Sequence, residues 1–147
     1  MERRLMILGS MDEFVGLVKK AKQRGIYTVV CDSYPDGPAK QYADKAYDID
    51  IREVEQAAEI CRQEKLDGII ASFSDILFEC LVKIAAKAGL KTYCTVEKSI
   101  YLRAKSEMKK MFRELGIPTP ESIRLHRGFQ EKEIQGISFP AVIKPVN

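Results

Sequence analysis

The stretch Ala104–Pro120, AKSEMKKMFRELGIPTP, decides how the chain is read, together with residues 139–147, FPAVIKPVN. Met108, Met111, Phe112 and Leu115 stand at i, i+3, i+4 and i+7, the spacing of one apolar helix stripe. Gly116 follows as a candidate helix terminator, and Pro118 and Pro120 push the chain into extended structure. Glu121–Leu125 then reads as a strand, followed by a short polar helix. Phe139–Ile143 reads as a second strand ending in Lys144-Pro145.

Working back from this stretch, apolar runs alternate with helix-periodic segments. Arg4–Gly9, Ile26–Cys31 and Gly68–Ser72 are unbroken apolar runs, which suit strands covered on both faces. Ala46–Ile49 and Thr92–Cys94 read as shorter strands. Phe14, Leu17, Val18 and Ala21 make the stripe of a first helix, which Gly25 ends. Val54, Ala57, Ala58 and Cys61 make another, and Ile76 to Ala88 a third that stops at Gly89. Glu97–Leu102 is a brief helix leading to Lys105, and the segment 33–51 is a loop with one helical turn near Ala39–Tyr42. The expected fold class is therefore α/β: a three-layer, mostly parallel, Rossmann-like sheet with right-handed crossovers. Residues 1–103 form this domain, and 104–147 a linker helix and the beginning of a second, α+β unit, with the handover at Gly116–Pro120.

Bulk properties narrow the partners. The chain has 147 residues, 46% of them apolar and 31% charged, with a formal charge of +3. That balance describes one domain with a real core and gives no reason to expect nucleic acid or a membrane as partner. The densest basic spot, Lys109-Lys110, is assigned to the outer face of its helix. The apolar run in MERRLMILG is too short for a signal peptide's core, and no run approaches a membrane span. Cys31, Cys61, Cys80 and Cys94 form no CxxC pair, and His126 is the single histidine, which argues against zinc. Buried free thiols in a reducing cytoplasm are expected.

The order of lysine-opened helix, GIPTP turn, strand, polar helix and FPAVIKP strand resembles the entry into the ATP-grasp domain of carboxylate–amine and carboxylate–thiol ligases. The run Asp32-x-x-Pro35, Pro38-Ala39, Ala43-Asp44 resembles the preATP-grasp domain that precedes it. The resemblance implies that Lys105 and Lys144 bind the phosphates of ATP. Ala104 stands where the family most often has Asp. Each lysine alone reads more readily as a solvated helix start or a strand edge; it is the pair in this order, with GIPTP between them, that carries the resemblance. The resemblance further implies a γ-phosphoryl transfer to a small-molecule carboxylate, an acyl phosphate, and attack by an amine. Its Mg2+ ligands would lie beyond Asn147. The 147 residues are expected to be inactive alone, as the N-terminal part of a carbamoyl-phosphate-synthase-like or carboxyaminoimidazole-ribonucleotide-synthase-like ligase. Within 104–147, the apolar residues of the last strand are expected to be disordered, to dock on the first domain, or to pair with a second copy as a homo-oligomer.

The ends of the strands supply the other candidates. The turn Gly9-Ser-Met-Asp-Glu-Phe14 keeps only the first glycine of a dinucleotide fingerprint, and Asp12 and Glu13 put negative charge where a pyrophosphate would sit. NAD and FAD are rejected on those two facts. The resemblance makes Gly9, Ser10 and Met11 substrate-binding candidates. Ser10 and Glu13 also match a capping box, S-x-x-E, which would explain them without a ligand. Ser74 and Asp75, after the third long run, face the same edge if the sheet is parallel; helix capping accounts for them as well. Asp32 and Asp36 read as turn formers. A non-catalytic α/β binding module or receiver-type domain is the alternative class, with Asp12, Glu13 and Asp75 as its loosely clustered acids.

Overall fold

In a computed structural model, described for residues 2–144, the chain runs β1 (Arg3–Leu8), α1 (Asp12–Gln23), β2 (Ile26–Asp32), β3 (Lys45–Asp48), α2 (Val54–Gln63), β4 (Gly68–Ala71), α3 (Asp75–Ala88), α4 (Val96–Arg103) and α5 (Lys105–Glu114). Short 3-10 turns lie at Pro38–Tyr42 and Glu131–Glu133. The described residues divide into two compact units at Val96/Glu97.

In the first unit every strand pair is parallel, in the order β3-β2-β1-β4. Strand side chains alternate between faces, so each strand feeds two cores. Met6, Leu8, Val29 and Cys31 enter one core with Ala57, Cys61, Leu81 and Ile84 of α2 and α3. Ile7 and Val30 enter the other with Phe14 and Val18 of α1 and Ala39 of the 3-10 turn. These are the three layers expected from the unbroken apolar runs.

Three of the four cysteines are buried in that first core, and all four are free. Burial pushes the Cys31 thiol up to about 12, helped by the neighbouring Cys61, and Cys61 up to about 11. Burial raises Cys80 as well. The thiolate is the reactive form, so these three are protected twice, by access and by ionisation. With an aromatic disulfide reagent at mildly alkaline pH, Cys94 is expected to react rapidly in the native chain. The other three should react only after denaturant is added. Reaction of Cys31, Cys61 or Cys80 at the rate of Cys94 would contradict this core.

Three expected strands are absent. Thr92–Cys94 is a bend, because the Thr92 hydroxyl donates to the Cys94 carbonyl and accepts from the Cys94 N–H at 3.3 Å. Such local side-chain bonds compete with a strand ladder. Residues 121–126 and 141–144 carry no strand, and 139–140 form a bend. A strand needs a neighbour to pair its backbone, and none runs beside these segments among the described residues. Phe139, Val142 and Ile143 are among the exposed large apolar side chains. Pro145, the end of the expected Lys-Pro strand, lies outside the described residues.

The helix and turn of the second unit form as expected. α5 ends in a Schellman arrangement: Gly116 takes φ +68°, its N–H donates to the Arg113 carbonyl, and the Ile117 N–H reaches the Phe112 carbonyl at 2.8 Å. Lys109 does not stand free on the outer face. Its ammonium donates to the Pro120 carbonyl at 2.9 Å and pins the proline turn back onto α5.

Candidate functional site

Leu8 pairs with Cys31 on one side and with Ala71 on the other, so the loops after β1, β2 and β4 leave the same edge of the sheet. That is the carboxyl edge, where open parallel sheets bind ligands. It gathers Gly9, Ser10 and Met11 with Asp32, Ser74 and Asp75.

Gly9 takes φ +103°, and a Cβ there would lie 2.6 Å from the Phe14 ring. Only glycine permits both the left-handed backbone and the approach of that ring. Its N–H donates to the Cys31 carbonyl at 3.0 Å, extending the β1–β2 ladder by one rung.

Ser10 does not cap α1. The helix begins after Met11 with no side-chain cap, and Ser10 is fully buried. Its hydroxyl donates to Oδ2 of Asp32 at 2.8 Å. A buried hydroxyl requires a partner, which the carboxylate at the end of β2 supplies, while the helix itself starts one residue later, with Met11 at the cap position. The capping-box expectation fails for that reason. Oδ1 of Asp32 accepts the Tyr34 N–H at 3.1 Å, the turn-forming role expected of it.

The proline–glycine loop is folded tightly over this pair. Ala39 is fully buried, and its N–H donates to the Ser10 carbonyl at 2.8 Å. A Cβ on Gly37 would lie 1.8 Å from the Ser10 hydroxyl oxygen. Lys40, whose side chain is only 6% exposed, donates to the Asp32 carbonyl, the Tyr34 carbonyl and Oδ1 of Asp48. The family-like run from Asp32 to Asp44 is thus a packing and hydrogen-bonding device that holds the loop against β1. Asp44 completes it by accepting from the Thr28 N–H, the Thr28 hydroxyl and Lys22.

Across β1, Ser74 caps α3 by accepting the Leu77 N–H at 3.5 Å, and Asp75 opens that helix, exposed. Phe73 takes φ +64°, a conformation that costs a bulky residue about 1–3 kcal/mol. It is held there with its ring edge-on to Phe14 at 5.8 Å between centroids. Phe14 therefore links the loop after β1 to the loop after β4. The sequence signals neither Phe73's backbone nor the Ser10–Asp32 bond.

Lys105 is the first residue of α5, exposed, after an Ala104 cap position that makes no side-chain bond. Lys144 is exposed in the irregular segment that ends the described residues. His126 lies on a loop, 3.6 Å from Glu133. Among the described residues no group of His, Cys, Asp or Glu could hold a metal ion, so Asp12, Glu13 and Asp75 make no receiver-like cluster.

No protein-family model matches the chain. Over 146 residues it is 31% identical to a formate-dependent phosphoribosylglycinamide formyltransferase from Nitratiruptor, an alignment covering 97% of this chain and 37% of that protein. The matched region is the N-terminal part of an ATP-grasp protein. The chain belongs to the ATP-grasp family. Its fold is that of the preATP-grasp domain. An L-amino acid ligase from Bacillus licheniformis superposes with a TM-score of 0.79 at 18% identity, over 99% of this chain and 38% of that one. An N5-carboxyaminoimidazole ribonucleotide synthetase from Thermotoga maritima gives 0.75 at 22% identity, over 94% and 37%. The chain thus spans little more than a third of the length of the ATP-grasp proteins it matches. No described helix is long and apolar enough to cross a membrane.

Proposed function

We propose that this chain supplies the acceptor-binding N-terminal part of an ATP-dependent carboxylate–amine ligase. The observation that carries the reading is the meeting of three strand-end segments, 9–13, 32–38 and 72–76, at the carboxyl edge of a preATP-grasp sheet. Gly9, Ser10 and Met11, with Ser74 and Asp75, form the acceptor side. Ser10 and Asp32 act through position: their bond fixes the loop backbone that an acceptor would meet. Lys105 and Lys144 form the nucleotide side.

In the proposed reaction a carboxylate oxygen attacks the γ-phosphorus of ATP and ADP leaves. An amine then attacks the acyl carbon and inorganic phosphate leaves. Lysine ammoniums close to the phosphates offset the charge that builds on the departing ADP. Mg2+ belongs to the proposed enzyme as a triphosphate counterion, but the described residues include no set that fits it. The buried free thiols of Cys31, Cys61 and Cys80 suit a reducing compartment, and we place the protein in the cytoplasm.

The test joins this chain to the part of the Nitratiruptor relative beyond the aligned region. The fusion is expected to release ADP in a manner that depends on an added carboxylate acceptor. Lys105→Ala or Lys144→Ala should each lower kcat/KM by about 100- to 1,000-fold, the scale for losing one preorganised transition-state contact. The unfused 147 residues are expected to release none. ADP release by the unfused chain, or full activity in both lysine variants, would overturn the assignment.

A further inference from the structure

We propose that the carboxyl edge of the sheet selects an acceptor with an apolar body and an ammonium group, and excludes one that carries a phosphate. The inference rests on the reading that the acceptor binds at this edge, and names its chemical class.

Each of the three segments presents a large apolar side chain to solvent: Met11 at 49% exposure, Tyr34 at 55%, and Phe73 at 75% with Ile76, in the first turn of α3, at 59%. Isolated exposed apolar residues need no explanation, but these stand on the three segments that leave neighbouring strands at the same edge of the sheet. They are also anchored. Phe73 is held edge-on to Phe14, which is itself buried against Gly9. Tyr34 is fixed at both backbone ends, its N–H by Asp32 and its carbonyl by Lys40. Met11 follows the fully buried Ser10. Apolar groups on a fixed backbone lose little freedom when a ligand covers them, which makes them effective contact surfaces.

Charge sets the rest of the ligand. The segments 9–13, 32–38 and 72–76 carry Asp12, Glu13, Asp32, Asp36 and Asp75, and neither lysine nor arginine. The next basic residue, Lys40, is nearly buried and already donates to two carbonyls and Asp48. Arg52, beyond β3, forms a paired contact with Asp50. A phosphate placed among these segments would find no cation from them, and the uncapped N–H groups at the start of α1 are flanked by the carboxylates of Asp12 and Glu13, whereas phosphate recognition draws on Arg, Lys or N–H groups free of such neighbours. An ammonium meets the opposite sign. Apolar body, ammonium and a carboxylate to be activated together describe an amino acid with a large apolar side chain.

The test is a titration of the 15N-labelled 147-residue chain followed by amide chemical shifts, with no nucleotide present. L-Phenylalanine is expected to move the signals of Gly9–Met11, Tyr34 and Phe73–Asp75. Ribose 5-phosphate should leave them in place, and 3-phenylpropionate, which lacks the ammonium, should bind several-fold more weakly. Phe73→Ser is expected to weaken the phenylalanine response about tenfold, in line with loss of a central aromatic contact. Tyr34→Ser provides the same readout should the first variant fold poorly. The inference is overturned if ribose 5-phosphate moves those signals, if phenylalanine moves none, if phenylpropionate binds as well, or if the variant responds like the parent. A fusion enzyme that turns over only a phosphate-bearing acceptor would sink this inference while leaving the ligase assignment standing.

Discussion

Replacing Gly37 by alanine is expected to destabilise the first unit by about 3 kcal/mol, the upper range for forcing volume into a filled site. Gly37 has φ −59°, so its backbone would accept alanine without strain. The obstacle is steric. The new methyl carbon would lie 1.8 Å from the Ser10 hydroxyl oxygen, 2.3 Å from the Ser10 Cβ and 3.2 Å from its carbonyl oxygen. Ser10 cannot swing aside, because it is fully buried and bonded to Asp32. The loop must lift instead, and the Ala39-to-Ser10 backbone bond lifts with it. Urea denaturation of Gly37→Ala measures the loss. The clash also predicts its own rescue. Ser10→Gly removes both close side-chain atoms, so the double variant should be more stable than Gly37→Ala alone, although Ser10→Gly by itself loses the bond to Asp32. The pair should depart from additivity by about 1 kcal/mol or more, as contacting residues do. Strict additivity would show that the loop does not pack on Ser10 as described.

Asp44→Ala is the second large effect expected, again about 3 kcal/mol, from stranding buried polar groups. Thr28 is fully buried in β2, and the Asp44 carboxylate accepts both its N–H, at 2.8 Å, and its hydroxyl, at 2.9 Å. Alanine leaves both donors unsatisfied. The ion pair with Lys22 adds little, since that lysine is 41% exposed and screened by solvent. Asp44→Asn keeps one acceptor oxygen and should cost less than Asp44→Ala. The acid dependence follows from the same contacts. Partial burial opposes ionisation of Asp44, but the bonds from Lys22 and Thr28 outweigh it and hold the carboxyl below its usual range. Glu64 is also lowered, by Lys45 first and then Tyr47. A carboxyl that is depressed when folded contributes stability that is complete above its unfolded pKa, about 4. That stability is lost as pH falls through the lower, folded value. Stability should therefore decline below about pH 4, and less steeply in Asp44→Asn than in the parent. Equal acid dependence in the two would exclude Asp44 as a contributor.

Much of the architecture was legible from residue order alone. The runs around Met6, Val29 and Ile69 announced covered strands, and the stripes through Phe14, Ala57 and Leu81 announced their helices. The signals are local: periodicity needs only neighbours along the chain. Gly116 and the two prolines after it marked the end of α5 for the same reason. The likeness of AKSEMKKMFRELGIPTP to the ATP-grasp entry pointed to the family that the Nitratiruptor relative establishes.

The remaining assignments needed partners distant in sequence. Ser10 had two destinations, the N–H donors at the start of α1 and the carboxylate of Asp32, and the folded chain buries its hydroxyl against the carboxylate. Gly37 looked like a turn residue, yet its essential property is the space it leaves for Ser10. Phe73 adopts a backbone that its own chemistry disfavours, because Phe14 is in place to receive its ring. Lys109 looked solvated and instead holds the proline turn. Residues 121–125 and 139–143 have strand-like composition, but strand pairing is a property of two segments and not of one. Sequence by itself determined the layers, the direction of the sheet and the family. Only tertiary contact decided which polar groups at the sheet's edge are held in structural hydrogen bonds and which stay exposed, since that depends on partners brought together from distant parts of the chain.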